Sequence, residues 1–278
     1  MLTIRCLNIK EMVFPIELTA REGWNPGLYD GYSYFEADPT GFFLAELDGG
    51  MAGCISAVRY GQTMGYVGGH IVLPPYRGRG IGEALWQHAL DHLQDRVIGT
   101  DGLPAMEDFY KRYGFIPEHT IVRYQGNLFD HACLGIDVYS AAEVDIQTLA
   151  EYDNPMFGCS RMDFLKAWIS QPGIESACYI DKGQIKGYGV IRACRKGHRV
   201  GPLFADTPAI ARRILCHLAC KAGEDLLYLD IPRSNPAAVQ LAESLGMEIG
   251  FSRLRLYNGP GLELPLQRIY GFTTLEIG

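Results

Sequence analysis

The sequence resembles itself at a spacing of about 132 residues. ELDGGMAGCISA (46–57) is echoed by YIDKGQIKGYGV (179–190), each reading as a strand, a turn on Asp-x-Gly and a second strand. FYKRYGFIPEHTIVRYQG (109–126) is echoed by LAESLGMEIGFSRLRLYNG (241–259), each the end of a helix, a glycine stop and a strand pair. Gly114 and Gly246 lie 132 residues apart, and Asp48 and Asp181 lie 133 apart. An offset this constant predicts one unit used twice, with the boundary between Asn127 and Leu134 and the units at 1–128 and 134–278. A chain of 278 residues also exceeds the roughly 100–200 of one domain.

Within each half the coarse order is helix, helix, hairpin, strand, helix, strand, helix, strand pair, punctuated by Gly, Pro and Asp. In the first half an apolar strand (65–72) precedes a helix (82–93), then a strand RVIGT (96–100) and a helix AMEDFYKRY (105–113) closed by Gly114. A helix between two roughly parallel strands implies a mixed sheet, so the fold class is α+β: two tandem units, each a mixed, largely antiparallel sheet flanked by helices.

Composition narrows the partners. With 47% hydrophobic and 21% charged residues the chain reads as an ordinary globular protein, and a net charge of -7 argues against nucleic acid or an anionic membrane. No apolar run approaches a membrane span, and the N-terminal residues lack the pattern of a secretory signal, so a cytoplasmic protein is expected. The eight cysteines are scattered without a CxxC pair, which suits reduced, mostly buried thiols. No metal site is expected: His88 and His92 are four apart on a helix but lack HExxH, and read as a solvated face; Cys216, His217 and Cys220 look similar, but the adjacent Cys216 and His217 do not share a helix face, and packing is the reading.

The chemistry concentrates in VLPPYRGRGIG (72–82), between a strand and a helix. Unpaired amides and the helix dipole there favour an anion, glycines let the main chain approach it, and Arg77 and Arg79 add positive charge. The glycine spacing (Gly78, Gly80, Gly82) fits neither the dinucleotide fingerprint nor a nucleotide P-loop. The pattern V-x-P-x-Y-R-G-x-G-x-G, from Val72 to Gly82, resembles the acetyl-coenzyme-A loop of the GNAT N-acetyltransferase superfamily, and FYKRYGF resembles that family's second landmark. The resemblance covers about residues 3–126. EGWNPG (22–27) with DPTGFF (38–43) is similar to bacterial GNAT proteins carrying a second, degenerate GNAT-like domain. In the second half LFADTPAIARRI (203–214) stands where the loop would be, with Asp206 and Pro208, and Ala242 stands where Tyr110 would be. Asn235 is retained at the family's usual asparagine position, whereas the first half has Leu103 there.

The resemblance implies a donor, acetyl-CoA (a cosubstrate, with no metal), held by Val72, Arg77, Gly78, Arg79, Gly80, Ile81 and Gly82. It also implies that the Val72 amide polarises the thioester carbonyl and Tyr110 protonates the departing thiolate. An acceptor amine with a pKa near ~10 must lose a proton, and His70 is a candidate base two residues before Val72, with Glu22 and Asp101 as rivals. Gly68 and Gly69 suit a bulge that splays this strand from its neighbour. Glu22, Trp24 and Asn25 read either as acceptor contacts or as a turn with a buried tryptophan; Asp101 reads as a substrate contact or a cap. Asp153, Phe157 and Arg161 are expected to close the pocket from the second half. The expected protein is an N-acetyltransferase for a small amine or amino acid, a monomer or weak homodimer. The alternatives are an acetyl-CoA sensor without turnover, a protein lysine or N-terminal acetyltransferase, and an O-acyltransferase.

Overall fold

The computed structural model describes residues 1–131 and 137–278. The expected boundary between Asn127 and Leu134 therefore falls partly outside the described residues. In the first half the order is β1 (Leu2–Cys6), α1 (Val13–Arg21), α2 (Asp30–Ala37), β2 (Phe42–Leu47), β3 (Gly50–Tyr60), β4 (Met64–Val72), α3 (Ile81–His92), β5 (Val97–Gly102), α4 (Glu107–Arg112) and β6 (Ile116–Asn127). The second half repeats it as β7 (Val138–Tyr139), α5 (Ile146–Phe157), α6 (Met162–Trp168), β8 (Ile174–Asp181), β9 (Gln184–Ala193), β10 (His198–Ala205), α7 (Pro208–Ala222), β11 (Leu226–Pro232), α8 (Pro236–Ser244) and β12 (Glu248–Tyr257). A short β13 (Ile269–Gly271) follows.

Among the described residues the strands form one continuous mixed sheet, ordered β1-β2-β3-β4-β5-β12-β6-β11-β10-β9-β8-β7, with β13 beside β10. The strand pair expected at the end of each half is instead one strand. Neither PEHTIVRYQ nor EIGFSRLRL contains a hairpin turn, so each runs on as a single strand and finds its partner in the other half. β12 enters between β5 and β6, with Arg255 opposite Asp101 and also opposite His119. β6 in turn pairs with β11, Arg123 facing Asp230. The exchange carries reciprocal buried ion pairs: Arg255 grips Asp101 at 2.6 Å through both oxygens, and Arg123 grips Asp230 at 2.7 and 2.8 Å.

Alternation along the strands sends neighbours to opposite faces. Val58 and Tyr66 join a core drawn from both halves, in which Tyr34 of α2 stacks on Trp168 of α6 at 6.4 Å. Ala57 and Val67 face α3, whose Trp86 is ringed by Phe109, Tyr110, Tyr113 and Phe115 at 5.2 to 5.9 Å. Removing a fully buried aromatic of this kind costs about 3–5 kcal/mol. α7 and α8 cover the corresponding face of the second half. His88 and His92 are not a solvated face: both rings meet Phe43 edge-on at 4.5 and 5.0 Å, and His92 also contacts Arg59 at 3.1 Å. No helix among the described residues is long and apolar enough to cross a membrane.

Candidate active site

β4 and β5 run parallel from Met64/Val97 to Val67/Thr100 and then part. The parting coincides with an extra residue in β4, between Gly68 opposite Ser56 and Ile71 opposite Cys54, the bulge expected from the paired glycines. Gly69 sits at φ 55°, and a Cβ on Gly68 would lie 2.0 Å from the Glu276 carbonyl oxygen. Gly68 is therefore demanded by the close passage of residues 272–278 as well as by the bulge. A cavity of about 470 Å³ opens in the gap. Val72, His70, Thr100, Leu103 and Tyr110 line one side, Glu22 and Trp24 another, and Phe251, Arg253, Leu275 and Glu276 arrive from the second half.

The glycine-arginine loop leads from this gap into α3. Gly78 and Gly80 have φ of 75° and 77°, and a Cβ at either would touch nothing, so the left-handed backbone is what demands glycine in the protein itself. Gly80 is the N-cap of α3 and no side chain caps the helix, which leaves the first-turn amides of Ile81 and Gly82 open to an anion. Ile81 contributes its amide alone, since its side chain is buried in the core. Arg79 is exposed beside the loop. Arg77 turns inward: Nε donates to the Val72 carbonyl at 2.8 Å and Nη2 to Glu22 Oε1 at 2.7 Å. It joins the start of the loop to the segment after α1 across the cavity mouth, a placement not expected of a phosphate ligand.

Tyr110 packs so closely on β5 that a Cβ on Gly102 would lie 2.2 Å from its ring. Burial raises its pKa against an opposing backbone hydrogen bond at Leu103, so the phenol is protonated at neutral pH and able to give a proton. His70 is placed differently from a free base. Its Nε2 lies 2.9 Å from the Gly82 carbonyl, which can only accept, so that nitrogen carries the proton and ties β4 to α3. Burial pushes its pKa down to about 4. Asp101 lines the cavity but spends both oxygens on Arg255. Burial raises Glu276 while Arg199, Arg123 and Arg192 pull it down; the arginines prevail and the carboxylate stays ionised.

Asn25 does not line the cavity. It sits at φ 53° and staples its turn to the second half, Nδ2 donating to the Lys196 carbonyl at 2.8 Å and Oδ1 accepting from the Lys196 amide at 3.2 Å. Trp24 does line it, its carbonyl held by Arg123 at 2.7 Å. Asp153, Phe157 and Arg161 also lie outside the cavity. Arg161 pairs with Asp153 at 2.7 Å, donates to Thr273 at 2.9 Å and rests on the Phe157 ring at 4.1 Å, anchoring residues 272–278. Their charges read as site residues in sequence; burial turns them into a structural pair. The residues reaching the cavity from the second half are instead on β12 and in 275–276, and the one signal available for Arg253 is that its counterpart 132 residues earlier is Ile121.

The second half has the same slot and fills it. β10 and β11 run parallel from His198/Leu227 to Val200/Leu229, and a bulge follows between Val200 and Leu203. Into that gap comes β13, pairing Leu203 with Gly271 and Phe204 with Ile269. Asn235 Nδ2 donates to the carbonyls of Leu266 and Ile269 at 3.0 and 2.9 Å, holding the chain's own backbone. α7 is capped by Thr207, whose Oγ1 accepts from the Ile210 amide, and Asp206 is bound by Arg268 and Tyr152.

Comparison with known proteins identifies the family and the tandem fold. Residues 9–115 match the model described as Acetyltransferase (GNAT) family, and residues 149–271 that described as Acetyltransferase (GNAT) domain. The chain is 26% identical over 279 residues to the holothin acyltransferase of Pseudoalteromonas sp. (strain SANK 73390), covering 99% of this chain and 94% of the relative. It is also 26% identical over 223 residues to the uncharacterized N-acetyltransferase YitH of Bacillus subtilis (strain 168), covering 76% and 74%. A crystal structure of a putative acetyltransferase from Pyrococcus horikoshii superposes with a TM-score of 0.84 at 23% identity, over 100% of this chain and 96% of that one. A tandem GNAT protein from the clavulanic acid biosynthesis pathway superposes with 0.64 at 15%, over 94% and 100%. Matched in sequence in each half and in space as a tandem, the chain belongs to the GNAT acyltransferase superfamily as a two-domain member.

Proposed function

We propose that this protein transfers an acetyl group from acetyl-CoA directly to a primary amine of a small molecule, using the first half alone for the donor. The observation that carries the proposal is the open slot: β4 and β5 part beside an uncapped helix N-terminus and a protonated tyrosine. The residues fit the donor group by group. The open amides and Arg79 suit a pyrophosphate, the parted strands an extended pantetheine arm, and the Val72 amide a thioester oxygen. The amine nitrogen forms the C–N bond as the C–S bond breaks. Tyr110 gives its proton to the thiolate and is reprotonated from solvent.

The amine's own proton takes another path. Asp101 and Glu276 are held by arginines, burial raising the Asp101 pKa against the pull of Arg255, and His70 is committed to Gly82 with a depressed pKa. We assign His70 to anchoring α3, and route the proton through water past Glu22 at the cavity mouth. The β6–β12 exchange uses internally the edge that two single-unit copies would share, which supports a monomer. The compartment we infer is the cytoplasm, on composition alone.

The test is release of free coenzyme A from acetyl-CoA with a panel of small amines. Transfer above hydrolysis, with Tyr110→Phe lowering kcat about 100-fold at unchanged acetyl-CoA affinity, is expected. Acetyl-CoA binding without transfer to any amine would make the protein a sensor instead.

A further inference from the structure

Among the described residues Arg123, Arg161, Arg192, Arg199, Arg253 and Arg255 are buried. Arg123 and Arg199 meet Asp230 at 2.7 Å, Arg161 meets Asp153 at 2.7 Å, Arg192 meets Asp30 at 2.9 Å and Arg255 meets Asp101 at 2.6 Å. Arg253 is the exception. Its Nη1 donates to the Ser252 carbonyl at 3.0 Å, and no carboxylate among the described residues lies within ion-pair distance, although the residue is only 8% exposed. It is also the one of the six that lines the active-site cavity.

Its surroundings do not neutralise it. The guanidinium lies over Phe251 at 4.3 Å and Trp24 at 5.7 Å, while Arg123 occupies the same Phe251 ring at 4.4 Å. Two guanidiniums on one ring repel, and burial together with Arg123 pulls the Arg253 pKa down; Asp230, Asp101 and Glu276, beyond ion-pair distance, pull it up and do not prevail. The fold does not demand a cation here, because the residue opposite Arg253 in the β6–β12 register, and its counterpart in the repeat, is the buried Ile121. The acids on the cavity wall have their own partners: Glu22 has Arg77 at 2.7 Å, Asp101 has Arg255, and Glu276 has Tyr34 at 3.1 Å and Arg199 at 3.5 Å. Arg253 is left as an unneutralised fork beside the acceptor-side tryptophan, and the natural complement of such a fork is a carboxylate taken bidentately.

We propose that Arg253 receives a carboxylate of the acyl acceptor, so that the acceptor is an amine bearing an acid group, an amino acid or a close analogue. The proposal rests on the acetyl-transfer reading above and adds the acceptor's class to it. A guanidinium desolvated on aromatic rings discriminates strongly, because an acceptor lacking the acid leaves the fork unpaired.

Matched acceptors test it: glycine against methylamine, β-alanine against ethylamine and phenylalanine against phenethylamine, with acetyl-CoA, in the full chain and in Arg253→Met and Arg253→Lys. For the pair that is turned over, the acid-bearing member is expected to have a kcat/KM about 10- to 100-fold higher. Arg253→Met should erase that ratio, Arg253→Lys should restore part of it, and acetyl-CoA affinity should stay unchanged in both. Equal kcat/KM within pairs, or an equal fall of both members in Arg253→Met, overturns the inference while leaving acetyl transfer standing. If no pair is turned over, the acetyl-transfer reading fails, and calorimetry of the coenzyme-A complex with the N-acetyl amino acids decides the site separately. Binding lost in Arg253→Met sustains the carboxylate site, and no binding by the unmodified chain overturns it.

Discussion

The two halves put the same strand-bulge-strand slot to opposite uses. In the first half no strand of the described residues enters the slot, its helix starts on an uncapped Gly80, and Tyr110 stands beside it. In the second half the slot holds β13, its helix starts on Thr207 with a side-chain cap, and Ala242 is buried where the tyrosine would be. Asn235 grips residues 266 and 269 of the chain itself. The difference shows how a GNAT slot can be satisfied from within: backbone partners for the parted strands and a cap for the helix, both supplied here in cis. The segment that fills the second slot continues into residues 275–276, which line the first cavity. Filling one slot thereby shapes the wall of the other.

The reciprocal ion pairs give the sharpest way to break this symmetry. Arg255→Met strands Asp101 with no guanidinium and should cost about 3–5 kcal/mol of stability in urea unfolding. Arg123→Met leaves Asp230 with Arg199 at 2.7 Å and should cost less, about 1–3 kcal/mol. Equal losses would mean that the two pairs do not differ as described. At the small end, Thr207→Ala removes the α7 cap and should cost about 1 kcal/mol in the same experiment. It should not change acetyl-CoA affinity, because the capped helix end serves no ligand; weaker binding would show that the second half takes part in holding the donor.

The repeat, the bulge glycines, the loop and Tyr110 were legible because their signals are local: glycine at positive φ, a helix stop, a fixed spacing. The exchange of β6 and β12 was not, since a strand carries no record of which edge it will join. Asp153 and Arg161 misled for a related reason. An acid and a base eight residues apart in sequence read as pocket residues until the fold buries them against each other at 2.7 Å. Arg253 does not stand out in the sequence because a charged strand residue ordinarily faces solvent. Its oddity exists only once β12 is seen to enter the first half and its counterpart is seen to be Ile121.

The central claim is that one of two homologous slots takes the donor, and the stoichiometry of acetyl-CoA binding measured by titration calorimetry tests it most directly. The account predicts one site per chain, lost in Gly80→Asp, which sets a carboxylate at the open helix end while aspartate still tolerates the left-handed backbone. Two sites per chain, or a single site that survives Gly80→Asp with its affinity intact, would contradict it.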